Sequence, residues 1–258
     1  MEVQIKKTVR AGNSSAVILP RAWLNKEVRV ELAEKTPDTI LTDVIALIRK
    51  YVELNEIIGI YLVGSYARNE QSGESDIDIL IITKDTDKEI IHEGIYSILI
   101  VSSGLLKQKL EKDLLPIGQM IKEARPLLNS AYIDSIEVRA TKSNIKWYLD
   151  TTKDKLKIIK KVIENAKKNN KWHVSDIVAY TLILRIRTLD IIKKLIENKE
   201  YSKKDFLNKI RNIYPGIAYE RYLAVKNNLE VKEVISLEEA EKLYNYLNKD
   251  LIDVKNRF

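Results

Sequence analysis

The stretch from Ile60 to Ile82 constrains the fold more than any other part of the chain. It reads IYLVGSYARNEQSGESDIDILII, an apolar run that ends at Gly64-Ser65, a polar turn that contains Gly73, and a second apolar run. Short, largely β-branched runs bounded by turn residues are typical of buried strands. Asp76 and Asp78 stand two apart where the second run begins, so their side chains are expected on one face while the flanking isoleucines point into the core.

This arrangement suits the binding of a phosphorylated ligand. A glycine after a strand lets backbone amides approach a phosphate, and a helix that begins at Ser65 would direct its positive end there. Two adjacent carboxylates repel each other unless a cation lies between them, and Mg²⁺ would also bridge to a triphosphate. A lone Asp-x-Asp is more often a solvated strand edge, but here it follows a strand and Gly-Ser at a defined spacing.

The Gly-Ser pair with Asp-x-Asp eleven residues after the serine resembles the signature of the minimal nucleotidyltransferases, which are related to antibiotic nucleotidyltransferases and DNA polymerase β. The resemblance covers roughly residues 38–130, since LLPIGQMIKEARPLL also resembles the helix after the family's third strand. It implies that Gly64 and Ser65 bind the nucleotide and that Asp76 and Asp78 are catalytic and ligate Mg²⁺. The family reaction transfers a nucleoside monophosphate and releases pyrophosphate.

The chain departs from the family pattern at two positions. Asn69 stands where glycine is common, in a turn that asparagine tolerates. Ser97 occupies the position at which the third strand usually offers a third carboxylate, and a missing general base costs about 10²–10⁴ in rate. Three acids from neighbouring segments are candidates to replace it: Glu93, Asp134 and Glu137.

The pattern around this stretch predicts an α/β fold, a mixed sheet flanked by helices, over residues 38–140. We expect a helix from Thr39 to Leu54 with Asp38 as its N-cap. Further expected elements are strands at Ile57–Val63, Ile77–Ile82 and Tyr96–Val101, and a helical stretch at Leu105–Leu128 that Pro116 divides.

Composition restricts the chemistry. The 258 residues include no cysteine and two histidines, so disulfides, thiolate sites and a dedicated zinc centre are not expected. No apolar run is long enough to cross a membrane and the N-terminus lacks a secretory signal, which predicts a cytoplasmic protein. A net charge of +7 is compatible with polyanionic partners and equally with a lysine-rich proteome.

Residues 1–35 form a separate β unit in this interpretation. The segment VQIKKTVRAGNSSAVILPRAWLNKEVRVEL resembles the swapped-hairpin domains of the AbrB and antitoxin type, which dimerise and bind DNA. About 30 residues cannot bury a core of their own, so the unit is expected to form a homodimer or to dock elsewhere. On such a dimer four basic side chains are candidates for phosphate contacts: Lys6, Lys7, Arg10 and Arg21. The alternative is a dimerisation hairpin with a solvated basic face.

Residues 141–258 are predicted to be helical, and the resemblance to the nucleotidyltransferases implies that this domain selects the acceptor. Leu156, Ile159, Val162 and Ile163 are expected on the inward face of a lysine-rich helix, and Val174–Ile196 is expected to be the central helix. Trp172 and His173 are interpreted as packing residues, and Ser236 with Glu239 as a capping box. Arg185 and Arg187 either form an internal salt bridge, with Asp190 or a neighbouring helix, or contact a triphosphate or an acidic acceptor.

Two functions remain open at this point. One is a Mg²⁺-dependent nucleotidyltransferase that uses ATP or another nucleoside triphosphate and an unidentified acceptor. The other is a DNA-binding dimeric regulator whose transferase fold binds nucleotide without turnover.

Overall fold

The computed structural model describes residues 4, 6, 8–31, 36–73, 75–232 and 234–258, and only the backbone of Pro116. Contacts between Cα atoms divide the chain into two compact units, Met1–Gln108 with Glu123–Glu137 and Lys109–Lys122 with Val138–Phe258. No helix in the described ranges combines the length and the apolar character needed to span a bilayer.

The first unit contains a mixed five-stranded sheet, which confirms the predicted α/β class. Its elements are β3 (Ile57–Val63), β4 (Ile77–Thr83), β5 (Lys88–Glu93), β6 (Tyr96–Ser102) and β7 (Arg125–Leu128), preceded by helix α1 (Pro37–Ile48) and interrupted by the one-turn helix α2 (Gly64–Ala67). The strand order is β5-β6-β4-β3-β7, in which β4 and β6 are parallel and the other neighbours antiparallel.

The three central strands form where apolar runs predicted them. Ile77 and Ile79 are almost fully buried, as expected, and Leu80 and Ile81, which follow them, are buried as well. A strand buried on both faces explains why the run is continuously apolar and not alternating.

Helix α1 begins earlier and ends earlier than predicted. Its N-cap is Thr36, whose side chain accepts a hydrogen bond from the backbone amide of Thr39. In return, the side chain of Thr39 accepts one from the backbone amide of Thr36. The predicted cap, Asp38, is wrong because Pro37 already occupies the first helical turn, where its fixed φ and missing N–H are tolerated.

The predicted helical stretch Leu105–Leu128 is wrong at its end. Two helices, α3 (Ser103–Lys112) and α4 (Leu115–Glu123), are separated just before Pro116, as expected, but Arg125–Leu128 is strand β7. This strand pairs only with β3 at the edge of the sheet. An edge is the place where a strand can hold a proline, here Pro126.

The N-terminal segment includes one small hairpin, β1 (Val9–Ala11) paired with β2 (Ser14–Ala16). In the sequence, Val3–Lys6 and Val28–Leu32 alternate in the way that predicts short strands. The first of these segments lies largely outside the described residues, as does Leu32. The described residues Val28–Glu31 are not in a strand, so that prediction is wrong for them.

The second unit is predominantly helical, as predicted. After a short helix α5 (Ser130–Asp134) of the first unit, its helices are α6 (Lys142–Lys168), α7 (Asp176–Ile196), α8 (Lys203–Ile213), α9 (Ala218–Lys226) and α10 (Leu237–Lys255). Two-residue strands β8 (His173–Val174) and β9 (Ile235–Ser236) pair with each other and interrupt the expected all-helical run.

Helix α7 is the central helix, and its apolar residues are buried against α6, α8, α9 and α10. On α6 the predicted inward residues are buried except Val162, which is exposed. Trp172 and His173 are also exposed, so their assignment to packing is wrong. Ser236 does cap α10, but the carboxylate of Glu239 accepts from the amide of Ala218 in place of completing the predicted capping box.

Candidate active site

The end of β3 brings Gly64 and Asp78 together. β3 and β4 pair so that Val63 lies opposite Asp78, and Gly64 follows directly. Gly64 has a φ of +70°, and a Cβ built on it would overlap the carboxylate of Asp78. Glycine is therefore required at this position both by the left-handed backbone and by the side chain against it.

The two predicted aspartates differ in their surroundings. Asp76 precedes β4 and is exposed, while Asp78 lies within β4 and is half-buried. Both occupy the edge of the sheet at which β3 ends. Their carboxylates supply the hard oxygen ligands that Mg²⁺ takes, and Mg²⁺ commonly completes its shell with substrate phosphates and water. Within the described ranges, no group of three or more acids or histidines is placed to hold a metal.

Ser97 stands beside Asp78, where the family pattern expects a third acid. The parallel pairing of β4 and β6 sets Asp78 opposite Ser97 and Ile77 opposite Tyr96. Paired residues of neighbouring strands project on the same face of the sheet, so a carboxylate at position 97 would lie next to Asp78.

The three acids considered as substitutes for the missing third carboxylate have different environments. Glu93 accepts a hydrogen bond of 2.5 Å from the Tyr51 hydroxyl and pairs with Lys50 at 3.2 Å, contacts that lower its pKa in spite of partial burial. Asp134 and Glu137 are exposed. Asp134 is close enough to Tyr61 to contribute, after burial and Tyr132, to raising the pKa of that phenol to about 12.

A buried carboxylate that the sequence interpretation missed lies against the predicted phosphate segment. Glu123, the last residue of α4, accepts a hydrogen bond of 2.7 Å from the backbone amide of Gly64 and one of 2.5 Å from Arg68. No sequence signal pointed to it, because the helix was predicted to continue to Leu128 and the partners of Glu123 are more than 50 positions away.

Arg68 connects Glu123 to the turn after α2. Its guanidinium also pairs with Glu70 at 2.9 Å. Burial alone would lower the pKa of Arg68, but the hydrogen bonds and charges of Glu70 and Glu123 outweigh it and raise that pKa. Asn69, between them, has a φ of +55°, which confirms that the departure from glycine is tolerated in this turn.

Helix α2 is a single turn from Gly64 to Ala67, one residue earlier than expected. Ser65 is half-buried, and its carbonyl accepts from the amide of Glu70 at 2.8 Å. The Gly64 amide, which the sequence assigned to a phosphate, is the one that donates to Glu123. Hydrogen bonds of three charged side chains, Arg68, Glu70 and Glu123, thus hold this segment in its conformation.

Three of the four basic residues proposed to contact DNA lie within the described part of the chain. Lys6, Arg10 and Arg21 are exposed, and Lys7 lies outside the described residues. The Arg10 guanidinium donates to the carbonyl of Gly12 in the turn of the β1–β2 hairpin.

A comparison with protein families gives a match to the family described as "Nucleotidyltransferase domain" over residues 45–235, more than half of the chain. The chain belongs to this family. It is accordingly a nucleotidyltransferase-family transferase, and the matched region includes Gly64, Ser65, Asp76 and Asp78. The match begins after the N-terminal β unit, so the AbrB resemblance stays a prediction.

Two solved structures are similar to this nucleotidyltransferase at low identity. A nucleotidyltransferase-like protein from Exiguobacterium sibiricum is 13% identical, with 83% of this chain and 75% of that one covered and a TM-score of 0.39. A spectinomycin adenyltransferase from Enterococcus faecialis, solved with ATP and spectinomycin, is 14% identical, with 82% and 98% covered and a TM-score of 0.42. No curated protein matches the chain.

Proposed function

We propose that the protein transfers a nucleoside monophosphate from ATP, or another nucleoside triphosphate, to an acceptor and releases pyrophosphate. The observation that carries the proposal is the approach of the Asp78 carboxylate to the backbone of Gly64, at the end of β3. This approach supports the proposal, because a carboxylate oxygen of the kind that Mg²⁺ takes lies beside a residue that has no side chain to exclude a phosphate.

In the proposed reaction an acceptor oxygen attacks the α-phosphorus, and the bond between that phosphorus and pyrophosphate breaks. Asp76 and Asp78 would hold Mg²⁺, which neutralises the charge of the phosphate oxygens. Gly64 and Ser65 would position the triphosphate. The acceptor proton would pass to solvent, because the half-buried Ser97 is no comparable base.

The test is transfer of label from α-³²P-ATP to any component of a cell lysate in the presence of Mg²⁺. Asp76→Asn and Asp78→Asn preserve the shape of each side chain and remove its charge. Since removal of one group that stabilises transition-state charge costs about 10²–10³ in rate, each variant should lose at least that factor. Asp85→Asn is the matched control, as Asp85 is exposed in the loop after β4.

Two results would contradict the proposal. One is the absence of any labelled acceptor with the wild-type protein. The other is equal labelling by the Asp76→Asn, Asp78→Asn and Asp85→Asn variants.

A second candidate function, a dimeric DNA-binding regulator, rests on a different observation. Five large apolar side chains of the N-terminal unit are exposed: Val9, Ile18, Leu24, Val28 and Val30. A surface of this kind favours burial against another chain. The exposed Lys6, Arg10 and Arg21 would then contact phosphates, with a contribution that weakens as salt rises.

Deletion of residues 1–35 tests this second function. We expect the full chain to sediment as a dimer and to bind duplex DNA in a salt-dependent manner, and the truncated chain to do neither. Equal DNA binding by the two proteins would remove the regulator hypothesis without affecting nucleotide transfer.

A further inference from the structure

Arg185, in the middle of α7, is a half-buried cation that has no ion-pair partner among the residues that the structure describes. Its Nη1 donates a hydrogen bond of 3.0 Å to Oγ1 of Thr151 on α6, and its buried Nε has no hydrogen-bond partner among the described residues. The predicted salt bridge with Asp190 does not form, because Asp190 pairs with Lys209. The described part of the chain also gives Arg185 no ion pair with a neighbouring helix.

Several other charges buried in this unit have an opposite charge as partner. Three opposite-charge pairs hold them: Asp176 with Arg221, Asp190 with Lys209, and Lys193 with Asp250. Arg187, two residues further along α7, lies 5.3 Å from the ring centroid of Tyr201 and interacts with Tyr222. Arg185 therefore differs from its neighbours in having a single neutral partner.

Desolvation acts on Arg185 without compensation. Burial lowers its pKa, and no acid raises it again. A guanidinium nevertheless stays charged in proteins, so its desolvation lowers the stability of the folded chain. A buried charge without a partner is strongly unfavourable, and binding of an anion would remove that cost.

An aromatic surface lies one helical turn from this contact. The Thr151 hydroxyl donates to the carbonyl of Trp147 at 2.8 Å, which leaves its oxygen available to accept from Arg185. The Trp147 side chain is 63% exposed, and its ring packs edge-on against Tyr148 with 5.0 Å between centroids. Most of the indole is thus open to solvent, and Tyr148 packs against part of it.

The α6 surface around Trp147 and Thr151 carries exposed charges of both signs, with Asp150 next to Thr151 and Lys146 next to Trp147. Lys155 follows Thr151 by one turn of α6 and is exposed, while the nearby Asp154 is paired with Lys157 at 2.9 Å. On α7 the residues one turn before and after Arg185 are the uncharged Thr181 and Thr188.

We propose that Arg185, Thr151 and Trp147 form a binding site for an anionic group attached to a planar ring, with the guanidinium fork on a carboxylate or phosphate and the ring on the indole. The carboxylate and the phosphate share the geometry that a guanidinium recognises. This site lies wholly on α6 and α7, and the inference does not depend on nucleotide transfer.

Calorimetric titration of the full chain with three small probes tests the site. Phenyl phosphate and benzoate carry the ring with each kind of anion, and benzamide carries the ring without charge. We expect saturable binding of at least one anion, and the stronger of the two identifies the preferred group. Benzamide should bind at least about tenfold more weakly, because a hydrogen bond to a charged group contributes about this factor to the affinity.

Substitutions locate the binding. Arg185→Gln should weaken it about 10- to 100-fold, and Trp147→Ala, which changes an exposed side chain and leaves the fold intact, should weaken it about tenfold. Arg211→Gln removes the same charge from an exposed position on α8 and should have no effect. Asp78→Asn should also bind normally, which separates this site from the proposed transferase site.

Several outcomes would overturn the proposal. These are the absence of anion binding at millimolar probe, equal affinity for benzamide, unchanged binding in both Arg185→Gln and Trp147→Ala, and loss of binding in Asp78→Asn.

Discussion

Glu123 and Gly64, 59 positions apart in the sequence, are joined by a hydrogen bond of 2.7 Å from the Gly64 amide to the Glu123 carboxylate. The other oxygen of the same carboxylate accepts from Arg68. A single buried acid thus holds both the start and the end of helix α2, and with them the segment that Asp78 contacts.

Replacement of Glu123 by glutamine should destabilise the protein. Glutamine retains an oxygen for the Gly64 amide but removes the charge that compensates the buried Arg68. Since Arg68 keeps its pair with Glu70, we expect a loss of about 2–3 kcal/mol in the free energy of unfolding. Urea denaturation measures it, and Glu111→Gln, at an exposed position of α3, is the control. Equal midpoints for the two variants would show that the Glu123 contacts contribute nothing.

Gly64→Ala should be damaging for two separate reasons. The left-handed φ costs a residue with a Cβ about 1–2 kcal/mol, and the new methyl group would overlap the Asp78 carboxylate. We expect a lower unfolding temperature and, under the proposed function, a loss of nucleotide transfer. Gly73→Ala is the control, because a Cβ at Gly73 meets nothing within 4 Å. A Gly64→Ala protein as stable as Gly73→Ala would contradict the geometry described for this turn.

Ser97→Asp would restore the third carboxylate of the family pattern. Without metal it should lower stability by about 1 kcal/mol, because two like charges would stand side by side on β4 and β6. Mg²⁺ should reverse this loss, and transfer should accelerate about 100-fold if the new acid serves as base. Thermal unfolding with and without Mg²⁺ provides the first measurement, with Ser97→Asn as the uncharged control. The same response to Mg²⁺ in both variants would argue against a metal site at this edge.

The pair of Glu197 with Arg257 should make stability depend on acid pH. Hydrogen bonds from Arg257 and Lys199 lower the pKa of Glu197 from an ordinary 4.5 to about 2. A lowered folded-state pKa stabilises the protein above pH 4.5, and this contribution disappears as the pH falls from 4.5 to 2. Both side chains are about one-third exposed, which limits the contribution to about 1 kcal/mol or less.

Arg257→Gln should therefore be less stable than the wild type at pH 7, by an amount that shrinks towards zero near pH 2. Denaturant titrations across this range measure the difference. Arg211→Gln, an exposed arginine on α8, should show no such trend. A constant difference between Arg257→Gln and wild type at all pH values would exclude the ion pair as its cause.

The strands and the position of the aspartates could be predicted because their determinants are local. Ile57–Val63 and Ile77–Thr83 are apolar runs bounded by turn residues, and the family spacing placed Ser97 beside Asp78 before the register was known. The short strand Arg125–Leu128 was missed because four residues, one of them proline, are too few to show the alternation of apolar and polar residues that indicates a strand. Its pairing is decided by β3, which is more than 60 positions away in sequence.

Residues whose role depends on distant partners could not be found in this way. Glu123 is identified by its contacts with Gly64 and Arg68, and Asp190 by its pair with Lys209. Exposure was equally difficult to predict, since Val162 fits the helical period of α6 and still lies on the surface. The period identifies a face, whereas the width of the buried stripe depends on the neighbouring helices.

The proline of strand β7 has a consequence for how the protein behaves at high concentration. An exposed sheet edge is a template on which another chain can add a strand and begin an aggregate. β7 has only four residues and includes Pro126, which has no backbone N–H to donate, so it is a poor template for strand addition. The opposite edge, β5, begins with the charged Lys88 and Glu89. Both borders of the transferase sheet are thus protected against intermolecular pairing, one by a missing donor and the other by charge.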